Sequence, residues 1–171
     1  MSPYRPDLVD CWVFRVSASG GEVLLLRRSA GRILPGLWQC VSGTLEPGER
    51  VSSGALRELV EETAFGPESI EAFYDLDLVN QFHEPSVDAI LTAAVFAVRV
   101  RPGAEPRLSH EHDDGRWWSL EAAHAEVIWP GYREAVSRIR EHLLDPARAA
   151  WFELTLLGER RERSAEPRLV D

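Results

Sequence analysis

The stretch from Gly43 to Phe65, GTLEPGERVSSGALRELVEETAF, constrains this chain more than any other. Set on a helix of about 3.6 residues per turn, Ser52 to Ala64 puts Arg57, Glu58, Glu61 and Glu62 on one face and Leu56, Leu59 and Thr63 on the other. The apolar side predicts a helix packed on a core. The acidic side predicts a cost, because like charges one turn apart repel. A divalent cation reverses the sign of that repulsion. Mg²⁺ takes carboxylate oxygens, keeps several waters and leaves room for substrate phosphates. A solvated face is the ordinary reading of a charge run. The residues ahead of the helix weigh against it: Gly43 and the run Glu46 to Glu49 (EPGE) form a tight loop leading in, and Ser52 or Ser53 offers an N-cap oxygen.

The stretch resembles the signature of the Nudix hydrolases: Gly, five residues, Glu, seven residues, then Arg-Glu-apolar-any-Glu-Glu-any-Gly-apolar. The counterparts here are Gly43, Glu49, Arg57, Glu58, Leu59, Glu61, Glu62 and Phe65. Ala64 stands where the family usually has Gly, which ends the helix in a conformation most residues avoid. The resemblance implies an α/β fold with a mixed β-sheet sandwiched between helices. It also implies hydrolysis of a pyrophosphate bond in a nucleoside triphosphate or another nucleoside diphosphate-linked compound. Elementary chemistry agrees, since phosphoryl oxygens repel an incoming hydroxide, and Mg²⁺ held by carboxylates both screens them and acidifies a water.

By the same resemblance the metal shell comprises the Gly43 carbonyl, Glu58, Glu61 and Glu62, with Glu111 added from a loop ahead of a later strand. Mg²⁺ is the expected ion, with Mn²⁺ an alternative. Either Glu58 or Glu111 takes the proton from water. Arg57 orients Glu49 and its neighbours through charge-assisted hydrogen bonds.

A length of 171 residues fits one domain with a proper core and an appendage. The net charge of −9 argues against a broad nucleic-acid-binding surface, which needs a basic stripe. With no apolar run of membrane length and no signal-peptide pattern, the expectation is a cytoplasmic protein acting on a small nucleotide. Cys11 and Cys40 are too few for a disulfide framework and lie in apolar stretches, so both are expected as buried thiols.

Leu8 to Val16 and Glu22 to Arg28 read as a strand hairpin. Arg27, Arg28 and Arg32 follow; a solvated charge is the ordinary state of each, while a guanidinium suits phosphate, and Arg27 is the candidate substrate contact. Trp38 to Ser42 is a short strand running into the signature, and the resemblance puts Trp38 at the entrance of the nucleotide site. Glu68 to Gln81 reads as strands; Val87 to Val100 reads as a central strand with a bend, since its β-branched second half favours strand over the buried helix its Ala and Val content would also suit. Ser109 to Gly115 reads as a polar loop with His110 and His112 in solvent, followed by the strand Arg116 to Ser119. Gly131 to Leu144 carries Ala135, Val136, Ile139 and Leu143 on one stripe, an amphipathic helix ended by Asp145-Pro146.

The expected organisation is a Nudix domain over 1–145, a C-terminal helix over 146–157 and a disordered tail over 158–171. The stripe Ala150, Trp151, Leu154 and Leu157 on that last helix would either fold back on its own domain or pack on a partner, and a homodimer contact is the favoured expectation. Trp38, Phe82, Trp117 and Trp118 form the aromatic set from which a base or pterin would find its stacking partner; core packing is the ordinary role of each. The run Trp38 to Gly43 (WQCVSG), the Glu111-His112 pair before Trp117-Trp118, and Trp129-Pro130 are similar to the dihydroneopterin triphosphate or dATP pyrophosphatase branch. Alternatives are a hydrolase of dinucleoside polyphosphates or oxidised nucleotides, and a catalytically silent nucleotide-sensing module on the same fold.

Overall fold

The structure, a computed structural model, describes residues 4–162. Its centre is β1 (Leu8–Ser17), whose residues Val9 to Phe14 are all buried. Burial on both faces explains why this strand reads as a near-continuous apolar run rather than an alternation. On one edge β1 runs parallel to β6 (Ala89–Val100), which in turn pairs antiparallel with the long β5 (Ile70–Glu84). On the other edge it does two things in succession. Its C-terminal half, Phe14 to Ser17, forms a hairpin with β2 (Gly20–Arg28), while its N-terminal half, Leu8 to Cys11, pairs with β4 (Val41–Thr44).

Between those two pairings β1 and β2 diverge, and the gap is filled by one chain segment broken at Cys40. Its first part, β3 (Trp38–Gln39), pairs with Leu26 and Arg27 of β2; its second part is β4. β7 (His112–Ser119) closes the far edge of β2. The sheet is therefore mixed, with one parallel pairing among antiparallel ones.

Helices cover both faces, as the mixed-sheet sandwich predicts. α1 (Val51–Thr63) lies on the face built from Val9, Cys11, Val13, Leu24, Leu26 and Val41, into which it sends Ala55 and Leu59. α2 (Leu120–Glu126) and α3 (Pro130–Arg138), with the π-helical turn Ile139–Leu143 that continues α3, cover the opposite face of Trp12, Phe14, Val23 and Leu25. Ala135, Val136, Ile139 and Leu143 are the buried stripe of that segment, as their spacing predicts. Cys11 and Cys40 are buried thiols.

The structure corrects the ends of two helices. α1 begins at Val51 after Arg50, with no side-chain cap, so Ser52 and Ser53 lie inside its first turn rather than ahead of it. Ser52 is buried there against the C-terminal segment, where a Cβ on Gly158 would fall 1.9 Å from its Oγ. At the other end Ala64 takes the left-handed conformation expected of Gly, with φ 59° and ψ 19°, and donates its N–H to the Val60 carbonyl. The helix therefore ends as the signature requires without the glycine.

The C-terminal helix expected over 146–157 is not what forms. α4 spans only Pro146–Ala149, and the chain then extends into β8 (Glu153–Leu154), which adds to the edge of β5 opposite Phe73 and Tyr74. The open edge of β5 is the physical reason, because it offers a ladder of unpaired main-chain groups that a terminal strand satisfies. Leu154 is buried in consequence, whereas Leu157 is exposed. Of the tail expected over 158–171, Arg160 pairs with Leu154 across a tight turn, and 163–171 lie outside the described residues. Among the described residues no helix is long and apolar enough to cross a membrane.

Candidate active site

The site grows from the seam where β4 passes into α1. Gly43 lies on β4 against the middle of α1, and a Cβ built on it would stand 2.0 Å from Cδ of Glu58. Only a residue without a side chain lets the helix carboxylate lie over the strand at this point. One turn further along α1, Glu62 is buried deeper still.

Arg57 organises the entrance. Its Nε and Nη2 donate to the two oxygens of Glu49 at 2.8 and 3.0 Å, a bidentate pair. Nη1 donates to Glu58 at 2.7 Å and to Glu61 at 3.2 Å, and Nη2 also reaches the Thr44 carbonyl at 3.0 Å. Glu49 accepts in addition from the Glu46 main-chain N–H at 3.0 Å, which closes the tight loop. The Arg57 guanidinium, with that N–H, holds the Glu49 carboxyl down at about 2.

The neighbouring carboxyls move the other way. Burial pushes Glu58 up, against the pull of Arg57. Burial, followed by the charges of Glu58 and Glu111, pushes Glu62 up to about 9. Among the described residues Glu62 Oε2 has no hydrogen-bond partner.

Glu111 comes from the segment between β6 and β7, which is docked on the last turn of α1. Arg107 and Ser109 donate their N–H groups to the Thr63 and Glu62 carbonyls at 2.9 and 3.2 Å, so the loop satisfies helix-end acceptors and cannot drift from the helix. The Glu111 carboxylate, half exposed, is paired with Arg32 at 2.7 Å. The structure thus brings together Gly43, Glu49, Arg57, Glu58, Glu61 and Glu62, with Glu111 close enough for its charge to raise both Glu58 and Glu62.

The substrate candidates divide. Trp38 packs edge-on against Trp118 at 5.5 Å on the α2–α3 face, with the guanidinium groups of Arg27 and Arg116 over its ring at 5.8 and 5.5 Å. Arg27 is paired with Asp113 at 2.7 Å. Trp117 points to the other face, covered by Arg15 at 4.1 Å, with its indole N–H on Glu105 at 3.3 Å. Phe82 lies on the outer half of the β5–β6 hairpin, opposite Leu91, and is 42% exposed. The four aromatic candidates therefore do not form one cluster.

Sequence reasoning missed two buried polar groups beside the site and one on the opposite face of the sheet. His112 is not a solvated loop histidine: it opens β7 opposite Arg28 and its side chain is 1% exposed. Burial pushes its ring down to about 4, so it is neutral. Gln39, in the short β3, lies between Arg28 and His112. On the other face Asp10, a lone carboxylate in an apolar strand, is buried and accepts from Asn80 at 2.9 Å. Only the last left a trace in the sequence, as a charge interrupting an apolar run.

Among the described residues, no group of three or more His, Cys, Asp or Glu side chains is arranged as a ready-made cation cage. The reason is visible in the ion pairs, since Arg57 engages Glu58 and Glu61, and Arg32 engages Glu111. The donor set nevertheless fits a hard divalent cation. Oxygen ligands line one seam, Gly43 leaves Glu58 room beside the main chain, and Glu62 is buried there under pressure from like charges.

A sandwich that lays a carboxylate-bearing helix beside a glycine strand, with an arginine clamp at its mouth, is the setting that the sequence resemblance implies. The NUDIX domain family model matches residues 7–139, and the chain belongs to the Nudix family. Members of this family generally use divalent metal ions.

The chain is 37% identical over 119 residues to an octanoyltransferase of Myxococcus xanthus, a match covering 68% of this chain and 32% of that protein. It thus spans about a third of the length of the curated relative it matches. Among solved structures it resembles the E. coli dihydroneopterin triphosphate pyrophosphohydrolase, with a TM-score of 0.67, 22% identity and coverage of 80% of this chain and 95% of that one. A C. elegans Ap4A hydrolase complex gives a TM-score of 0.66 at 21% identity, covering 79% and 95%. At such identities these two likenesses speak for the fold.

Proposed function

We propose that this chain hydrolyses a phosphoanhydride bond in a nucleoside triphosphate or a related nucleoside diphosphate-linked compound, with Mg²⁺ or Mn²⁺ as its metal. From a triphosphate it gives a monophosphate and pyrophosphate. The observation that carries this reading is Glu62, a buried carboxylate pressed by the charges of Glu58 and Glu111. A protein gains nothing in stability from such an arrangement unless a cation answers it.

Glu58, Glu62 and the Gly43 carbonyl, joined by Glu61 and Glu111, would hold the ion. Bound there, a divalent cation supplies positive charge to the phosphoryl oxygens and lowers the pKa of a water. The chain's own groups do the rest. Arg57 keeps Glu49 ionised and fixes Glu58 by one oxygen, so the other stays available. Glu58 and Glu111 are the two carboxylates that can take a proton from water, and Arg32 releases Glu111 when it does so. Arg27, beside Trp38, binds phosphate, and Trp38, half-buried against Trp118, meets the base or pterin. Phe82 and Trp117 contribute only where a substrate extends to the hairpin or to the Arg15 side.

The motif run through Trp38 to Gly43, with Glu111-His112 and Trp129-Pro130, favours dihydroneopterin triphosphate or dATP among substrates. The test is a phosphate-release screen over nucleoside triphosphates, oxidised nucleotides, dihydroneopterin triphosphate and dinucleoside polyphosphates, with ³¹P NMR to identify products. Pyrophosphate and a monophosphate from one of the first three classes is the expected result. Tight binding with Mg²⁺ and no turnover of any compound would instead identify a nucleotide-sensing module.

A further inference from the structure

Two buried polar atoms near the seam lack a hydrogen-bond partner among the described residues, and they face one another. They are Glu62 Oε2 and His112 Nδ1, 3.9 Å apart, on side chains 4% and 1% exposed. Orphaned buried polar atoms are rare because each costs the full desolvation of the group. Two at one place, on opposed elements, mark a contact with a purpose. The separation is too long for a hydrogen bond as it stands.

Which atom carries the proton follows from the far side of the ring. Arg28 has donors only, and its Nη1 donates to Gln39 Oε1 at 3.1 Å. That fixes the Gln39 amide, so its Nε2, also a donor, is the group facing His112 Nε2 at 3.3 Å. A ring nitrogen facing an N–H donor is the bare acceptor, and the single proton of a neutral imidazole is then on Nδ1, the atom aimed at Glu62. The order of donors runs one way, from the Arg28 guanidinium through Gln39 and His112 to the Glu62 carboxylate.

We infer that His112 is a positioning residue for Glu62: its Nδ1–H takes one carboxylate oxygen and leaves the other for the metal, with its orientation set by Gln39 and Arg28. This rests on the reading of Glu62 as a metal ligand. Nearby chain ties hold the donor in place. His112 donates its main-chain N–H to Ser109, and Ser109 donates to the Glu62 carbonyl, so ring and carboxylate are anchored to the same turn of α1. Imidazoles bridging a ligand to a fixed acceptor or donor are how metal ligands are held to one geometry elsewhere.

Two measurements test this on the full chain. The first reads the ring itself rather than activity: the ¹⁵N shifts of the His112 ring in protein saturated with Mg²⁺, where Glu62 is ionised, report which nitrogen is protonated. Nδ1–H with a bare Nε2 is expected, and the opposite tautomer overturns the inference. The second is Mn²⁺ affinity by electron paramagnetic resonance for His112→Asn, His112→Gln and His112→Ala. An asparagine amide places an N–H where Nδ1 stood, whereas a glutamine amide places it where Nε2 stood. The expected pattern is a loss of about 10- to 100-fold in Ala and Gln and recovery to within about threefold in Asn.

Equal losses in all three, tracking their melting temperatures, would mean a packing role and overturn the inference. Glu62→Gln is measured alongside. If it weakens Mn²⁺ binding while His112→Ala does not, the positioning role falls and the metal site stands. If Glu62→Gln leaves binding unchanged, the metal reading itself falls and takes the positioning role with it.

Discussion

Gly43 and Glu58 occupy what is nearly one space: a methyl group on the strand residue would overlap the carboxyl of the helix residue, with 2.0 Å between Cβ and Cδ. Helix and strand are held this close by Ala55 and Leu59, which anchor α1 in the core. Gly43→Ala should therefore displace the Glu58 side chain rather than the helix. The expected outcome is a fall in turnover of at least about a hundredfold with a stability loss of only about 1–3 kcal/mol. Steady-state rates beside a urea melt check this; a destabilised enzyme of normal turnover would be inconsistent with it.

Arg57 spends its donors on three carboxylates and a carbonyl, and its pair with Glu49 gives a pH signature. The Glu49 carboxyl stands at about 2 in the folded protein, below its ordinary value of 4.5. Its stabilising contribution is present above the ordinary value and is lost as pH falls toward 2. Arg57→Ala should cost about 1–2 kcal/mol at neutral pH, given partial solvent screening, and the gap to the parent protein should narrow as pH is lowered through that window. Chemical denaturation at a series of pH values measures the gap. A gap that widens in acid would contradict the pairing.

Glu62 has the opposite sign. Its carboxyl is raised to about 9, so the metal-free folded protein keeps a proton that the unfolded chain gives up. Stability of the metal-free protein should decline as pH rises from 4.5 toward 9. Glu62→Gln should remove that decline, stabilising the EDTA-treated protein at pH 8 by about 1–3 kcal/mol and less in acid, while lowering turnover by orders of magnitude. Thermal melts in EDTA, paired with rate assays in Mg²⁺, give both numbers. Loss of stability at pH 8 would show that the carboxylate is paired rather than pressed.

Ala64 is in the left-handed region with φ 59°, where a Cβ is strained. Ala64→Gly should stabilise the fold by about 0.5–1 kcal/mol, the relief of strain less the added freedom of the unfolded chain. Activity should be unchanged because no carboxylate moves. Melting curves of the two proteins decide it.

Much of this was legible in the residues. The spacing from Gly43 through Glu62 carried both the helix and its acidic face, and the branched, aromatic character of Leu8 to Val16 and Val87 to Val100 marked the strands at the heart of the sheet. What failed was whatever depended on partners far away in the chain. Periodicity at Ala150, Trp151, Leu154 and Leu157 suited a helix, yet the free edge of β5 drew Glu153 and Leu154 into a strand instead. His112 looked like one of several polar loop residues because nothing local records that it sits opposite Arg28. Trp117 and Trp118 are adjacent letters and face opposite sides of a strand, so only one of them can share a surface with Trp38.

The most direct test of the account is anomalous diffraction at the manganese edge from crystals soaked in Mn²⁺. A peak within about 2.0–2.3 Å of carboxylate oxygens of both Glu58 and Glu62, with Arg57 still on Glu49, is the result the account predicts. Both carboxylates without metal in such crystals, or manganese bound only elsewhere on the surface, would contradict it.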